Sequence, residues 1–275
     1  MQVDVLGLAV NYEEVGAGRP IVLLHGGGAD HRLMTVAFEP VFEGRNGWRR
    51  IYPDLPGMGR TPAADWIAGE DDMLAVVEGF VDAVVPGAER VTVAGASYGG
   101  YLALGLVHRR PEKLDGLALV APAYRSEGVD DDLPVHQVFA RDEAVVASLT
   151  EEERLWLGRS VVQVAETLEF FRAGVMPGVR IADFAFLERL EAGPNLSIDV
   201  AAPLAAPFPA PTLILAGRQD SVVGWAGAIP LLDSFPRATY AVLDRAGHGV
   251  RAEQNILFRA LVGEWLDRLE LEPAT

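Results

Sequence analysis

Ser97 stands in Gly95-Ala96-Ser97-Tyr98-Gly99, with Gly100 following. A serine between two such glycines suits a tight strand-to-helix turn, because glycine tolerates strained backbone and lets a helix pack close. In that turn Oγ stands exposed at the end of a sheet. The amide after it points, at a helix N-terminus, toward developing negative charge. The chain has seven serines and 29 glycines, so composition predicts about 0.08 matches to Gly-x-Ser-x-Gly. Context must carry the rest.

A serine hydroxyl is a weak nucleophile at neutral pH and needs a base. The histidines are His25, His31, His108, His136 and His248. His108 falls within a helical pattern and His136 within a long insert. His31 follows a glycine loop and is a weak candidate. His25 reads as a structural hydrogen-bonder. His248 sits in Ala246-Gly247-His248-Gly249, between a strand and the last helix. Its glycine neighbours free the backbone to place an imidazole over the sheet end, so His248 is the expected base.

The base needs an acid to fix its tautomer. Asp220 closes Gly217-Arg218-Gln219-Asp220, after a strand; Asp244, four residues before His248, is the competitor. Asp220 is preferred because a loop leaving a neighbouring strand approaches Nδ1 from the side. Asp244 reads as surface charge, paired with Arg245 or Arg251. The chain order is then Ser, Asp, His.

A third element is His25-Gly26-Gly27-Gly28 after Leu23-Leu24. Successive glycines let backbone N–H groups turn toward a ligand oxygen, which suits a second oxyanion donor. A plain strand-to-helix turn is the other reading. A phosphate loop is excluded, since no Gly-Lys-Ser/Thr follows and no G-x-G-x-x-G occurs.

The elements that must hold these residues are short apolar runs alternating with helical spacing. Ile21–Leu24, Arg50–Pro53, Arg90–Ala94, Leu114–Val120, Thr212–Ala216 and Thr239–Leu243 read as strands, with another at 8–15. Helices are expected near 33–43, 71–84, 98–109, 224–234 and 251–269. This alternation implies an α/β fold, a mostly parallel twisted sheet with helices on both faces.

The alternation stops after Pro122 and resumes near residue 211. The expected organisation is a core domain of 1–122 and 203–275, interrupted by a helical cap or lid at 123–202. Thr150-Glu151-Glu152-Glu153 fits a capping box with acidic residues at the positive end of the helix dipole. A helix is expected from there to about Ala173, and another at Ile181–Glu191. Phe139, Trp156, Phe170, Phe171, Phe184 and Phe186 serve either as the insert's own core and its contact with the sheet or as walls of a pocket.

Composition narrows the partners. The net charge is −16, a field that repels phosphate backbones and anionic lipid, so nucleic acid and membrane are not expected partners. Cysteine is absent, which removes disulfides and thiolate metal sites. No H-E-x-x-H or clustered histidines suggest a metal. Val200–Gly217 is uncharged but carries Pro203, Pro207, Pro209 and Pro211, which no intact membrane helix tolerates. Residues 1–10 lack the basic start of a secretory leader and carry Asp4, so the expected location is cytoplasmic.

Taken together, HGGG at 25–28, DLPGMGRT at 54–61, GASYGG at 95–100, GRQD at 217–220 and GHG at 247–249 resemble the α/β-hydrolase superfamily of the capped kind. The resemblance covers the sheet domain; the insert matches no named cap. It implies Ser97 as nucleophile, His248 as base and Asp220 as orienting acid. It implies an oxyanion hole from the amides of Gly27 and Tyr98, with Gly28 in place of Gly27 as the other choice. Haloalkane dehalogenases and epoxide hydrolases of that superfamily use aspartate at the elbow, so Ser97 sets them aside. The implied activity is a cofactor-independent, carboxylesterase-like serine hydrolase acting on a small or medium acyl substrate. Carbon–carbon hydrolase, aminopeptidase and perhydrolase chemistry use the same triad. Relatives that cleave vinylogous diketones often carry Asn-Ser at the elbow, where this chain has Ala96-Ser97. A ligand-binding protein of the same fold without turnover is the alternative of another class.

Overall fold

The computed structural model describes residues 1–87, 89–124 and 133–271. Parts of two expected segments, 125–132 of the insert and 272–275 of the core, lie outside them. The main sheet has eight strands: β1 (Gln2–Val5), β2 (Leu8–Gly16), β3 (Arg19–Leu24), β4 (Trp48–Pro53), β5 (Val91–Ala96), β6 (Leu114–Val120), β9 (Thr212–Gly217) and β10 (Ala238–Leu243). Their order across the sheet is β1-β2-β4-β3-β5-β6-β9-β10. The pairs β1/β2 and β2/β4 are antiparallel, and every other neighbouring pair is parallel. The six expected strands are all present. The 8–15 expectation is β2; β1, four residues in which Gln2 and Asp4 alternate with two valines, carries no apolar run that would announce it.

Alternation within the strands divides the core in two. Val22 and Leu24 face one layer with α2 (Glu70–Val84) and α3 (Tyr98–Arg109). Ile21 and Leu23 face the other layer, with α1 (Arg32–Phe42) and α10 (Asn255–Glu270). Both sets are fully buried, as expected when a parallel sheet is covered on both faces.

Two helices of the sheet region depart from expectation. The 224–234 segment is a 3₁₀ helix, Ala226–Ser234, with Pro230 inside it. Proline lacks the N–H that an α-helical turn needs there. The 251–269 helix is split into α9 (Val250–Glu253) and α10 at Gln254, whose φ of −130° and ψ of 49° are not helical.

Between β6 and β9 lie short elements: β7 (Ala140–Arg141), α4 (Glu143–Ser148), α5 (Glu151–Leu157), β8 (Val162–Gln163), α6 (Ala165–Phe170), a π-helical turn (Phe171–Val175), α7 (Met176–Val179) and α8 (Phe184–Glu191). The strands β7 and β8 pair with each other. The capping box is formed: Thr150 N–H donates to Glu153 at 2.8 Å, and Glu153 N–H donates to Thr150 Oγ1 at 3.3 Å. The single helix expected from 150 to 173 is instead three pieces, because α5 stops at Gly158 and the chain pairs briefly as β8. The helix expected at 181–191 starts at Phe184, where the Asp183 side chain caps it. A small cluster of Leu149, Leu157 and Leu168 belongs to this region alone. Phe170 and Val175 instead join the core layer of α1, and Phe186 joins that of α2 and α3.

Candidate active site

Ser97 links β5 to α3 with φ 51° and ψ −117°. A non-glycine residue there carries strain of about 1–3 kcal/mol, kept only where the surroundings impose it. The impositions are visible. Ser97 N–H donates to Val120 O at 3.0 Å, and Ser97 O accepts from Gly100, Tyr101 and Ala123. A methyl on Gly95 would collide with the Gly99 carbonyl, and one on Gly99 with those of Leu24 and His25. The two glycines of the motif are therefore fixed by close backbone approach.

The loop after β10 brings His248 over this turn. His248 Nε2 lies 2.9 Å from Ser97 Oγ. On the other side of the ring, Nδ1 lies 2.9 Å from Asp220 Oδ2. Asp220 leaves the end of β9 and is fully buried. Its other oxygen, Oδ1, accepts the amides of Val222 and Val223 at 2.9 and 3.1 Å. Its carboxylate is thus aimed by its own loop. Asp244 is exposed, and among the described residues no ion pair joins it to Arg245 or Arg251.

The glycine loop after β3 flanks the serine. A methyl on Gly26 would sit 3.3 Å from Ser97 Cβ, and one on Gly27 would sit 3.6 Å from Tyr98 Cβ. Gly28 N–H donates to Met58 Sδ at 3.2 Å. That engagement separates Gly28 from Gly27 as an amide for a ligand oxygen. His25 is enclosed: Leu55 N–H donates to its Nε2 at 3.0 Å, so Nδ1–H faces Gly26 O at 2.8 Å. Burial lowers its pKa, and the neutral ring ties the glycine loop to the chain after β4. His31 binds Asp54 at 2.7 Å and Glu13 at 3.3 Å. His108 is held near the Val200 backbone, and His136 is exposed.

A cavity of about 490 Å³ opens on Ser97 and His248. Of the six aromatics singled out, Trp156, Phe171 and Phe184 line it; Phe139, Phe170 and Phe186 do not. Phe170 and Phe171 thus part company, as their helical spacing requires. Phe184 sits over Gly28, 3.7 Å from where a methyl would be. Met58, Arg159, Leu187 and Arg251 also line the wall, and nothing in the sequence marks them for a pocket. Asp30, His31 and Asp54 form one cluster of possible metal ligands. Their atoms are already committed: Asp30 pairs with Arg32, and Asp54 accepts from Asn11, His31 and Arg60. No helix among the described residues is long and apolar enough to cross a membrane.

Residues 21–259 match the model of the alpha/beta hydrolase family. The chain belongs to this family, and by class it is a hydrolase. It is 28% identical over 264 residues to a 2-hydroxy-6-oxo-2,4-heptadienoate hydrolase of Pseudomonas putida, covering 94% of this chain and 93% of that protein. It is 27% identical to a 2-hydroxymuconate semialdehyde hydrolase of Pseudomonas sp., covering 94% and 91% respectively. An alpha/beta superfamily hydrolase from Oenococcus oeni PSU-1 shares the fold with a TM-score of 0.87, at 23% identity over 98% of this chain and 99% of that one.

Proposed function

We propose that the chain is a serine hydrolase that cleaves an ester-like bond of a small or medium acyl substrate. The observation that carries this reading is the continuous relay from Asp220 through His248 to Ser97, with both contacts at 2.9 Å. With Nδ1–H donated to Asp220, Nε2 is the lone-pair nitrogen facing the serine. Ser97 Oγ attacks the carbonyl carbon as its proton passes to Nε2. The carbonyl oxygen becomes an oxyanion beside the amides of Gly27 and Tyr98. The tetrahedral adduct collapses, His248 gives its proton to the leaving alcohol, and an acyl group remains on Oγ. Water, deprotonated by His248, repeats the sequence and frees the acid. No step calls for a metal or cofactor. The segment 123–202 acts as the cap, its aromatics Trp156, Phe171 and Phe184 excluding water from the acyl chain.

A second reading is carbon–carbon bond hydrolysis on the same residues. The names of the two Pseudomonas relatives support it, since a 2-hydroxy-6-oxo-dienoate contains no ester to cleave. Ala96 before Ser97, where such enzymes often carry asparagine, leans toward the ester.

A fluorophosphonate probe tests the common core. Wild type should label on Ser97, and Ser97→Ala should neither label nor turn over, with kcat lower by about 10³–10⁶. An unlabelled wild-type protein means a ligand-binding protein instead. Parallel assays on p-nitrophenyl acyl esters and on a vinylogous diketone then separate the two reactions by the ratio of their kcat/KM values.

A further inference from the structure

Arg251 lies three residues beyond His248, in the single turn of α9. It is only 6% exposed, yet Nε and Nη1 are enclosed without a hydrogen-bond acceptor. Among the described residues no ion pair satisfies it either. Two carboxylates lie close enough to act on its charge, Asp220 and Glu253. Both are otherwise committed. Asp220 serves His248 and the amides of Val222 and Val223. Glu253 accepts the amides of Val161 and Gly247. Burial pulls the guanidinium pKa down to about 10, which leaves it a cation at neutral pH.

A buried cation with unused donors is disfavoured until an acceptor arrives. Arg251 is part of the wall of the cavity that holds Ser97 and His248. The other charged residues of that wall are Glu70, Arg159, Glu188 and Glu191. Glu70 accepts the Tyr98 hydroxyl, and Glu188 and Glu191 are exposed on α8. Arg159 is exposed just beyond α5. The chain as a whole carries −16, a field that keeps anions away unless a local cation recruits them.

We propose that Arg251 is the specificity-determining residue for an anionic substrate: the acyl chain bears a carboxylate, which the guanidinium binds while Ser97 attacks the distal carbonyl. The planar guanidinium fork matches a carboxylate with two parallel hydrogen bonds. This assignment rests on the hydrolase reading above. The rival is that Arg251 only balances the charges of Asp220 and Glu253, which would affect every substrate alike.

The test compares two esters with the same five-carbon acyl chain, mono-p-nitrophenyl glutarate and p-nitrophenyl pentanoate. Wild type should prefer the glutarate in kcat/KM. Arg251→Gln should lower the glutarate value by about 10- to 100-fold, mostly through KM, and the pentanoate value far less. Arg251→Lys should keep part of the preference. Equal losses on both esters, or a wild type indifferent to the carboxylate, overturn the proposal. Should Arg251→Gln fail to fold, the wild-type preference and its reduction in Arg251→Lys decide instead. Should neither ester turn over and no probe label Ser97, the hydrolase reading has failed on its own. Calorimetry then decides the anion site: glutarate binding to wild type that is lost in Arg251→Gln supports it, and no binding to wild type overturns it.

Discussion

The carboxylate of Glu253 receives the backbone N–H of Gly247 at 2.5 Å, tying the residue before His248 to the helical turn after it. Its other oxygen receives Val161 N–H at 2.6 Å, from the segment between β6 and β9. One buried side chain thus fastens the histidine loop both to itself and to the chain above it. Burial raises the Glu253 pKa, against the hydrogen bonds that favour its charge.

Glu253→Ala should therefore act on placement of His248 without removing any reacting group. Each buried amide left without an acceptor costs about 1–3 kcal/mol. The expected result is a lower melting temperature together with reduced kcat. Glu253→Gln keeps one acceptor oxygen and should recover part of both. An alanine variant that melts like wild type with unchanged kcat would remove this role.

Asp220 and Asp244 offer a direct comparison. Asp220→Asn keeps the shape but presents the wrong group to Nδ1, and in serine triads such a change lowers kcat by about 10⁴. Asp244 is exposed, and its backbone carbonyl, which accepts from Gln219, survives substitution. Asp244→Asn should cost less than about threefold. Side-by-side kinetics giving the reverse order would move the acid to Asp244.

His31 should give stability a pH dependence of its own. Burial works against its imidazolium, but the hydrogen bond and charge of Asp54, with Asp30 and Glu13, outweigh it and raise the pKa above 6.5. The folded state then holds a proton that the unfolded state releases. Stability from this group is complete below pH 6.5 and is lost as pH rises through the folded pKa. His25 and His108 have lowered pKa values, from burial first, and slope the opposite way. Urea melts of wild type and His31→Gln across pH 5.5–8.5 isolate the His31 part. Their difference should shrink as pH rises; a constant difference would show that His31 does not titrate with folding.

The aromatics should divide by function. Phe184 lines the cavity and is 49% exposed, so Phe184→Ala should change the preferred acyl length at little cost in stability. Each methylene well buried in the pocket is worth about 0.8 kcal/mol. Phe170 is 8% exposed and packs in the core, so Phe170→Ala should cost about 3–5 kcal/mol and keep the wild-type acyl preference. Identical chain-length profiles in kcat/KM for wild type and Phe184→Ala would show that Phe184 does not contact the acyl chain.

The parts legible in the sequence are those where one local pattern has one outcome. Buried parallel strands such as Val91–Ala96 and Thr212–Gly217 are continuous apolar runs, and the glycine-flanked Ser97 and His248 follow them directly. Asp220 follows the same logic, since it leaves the end of the strand Thr212–Gly217. The region between β6 and β9 was less legible because its helices are short and set by what they pack on. Nothing in Phe171–Val175 announces a π turn, and Trp156 and Phe170 read alike until packing separates them. Arg251 reads in the sequence only as a surface partner of Asp244. A basic residue in the first turn after a loop reads as surface charge, and only the enclosure of its nitrogens says otherwise.

The amide that fixes the serine turn is bonded to Val120 in the middle of the sheet, whereas the chain over the cavity is built from short helices with a small cluster of three leucines of its own. These two regions should exchange amide hydrogens on separate clocks. The Ser97 amide is released only when the whole sheet opens, while those of α4 and α5 escape through local fluctuations. The segment between β6 and β9 should thus fluctuate far faster than the contact of Ser97 with His248 beneath it comes apart.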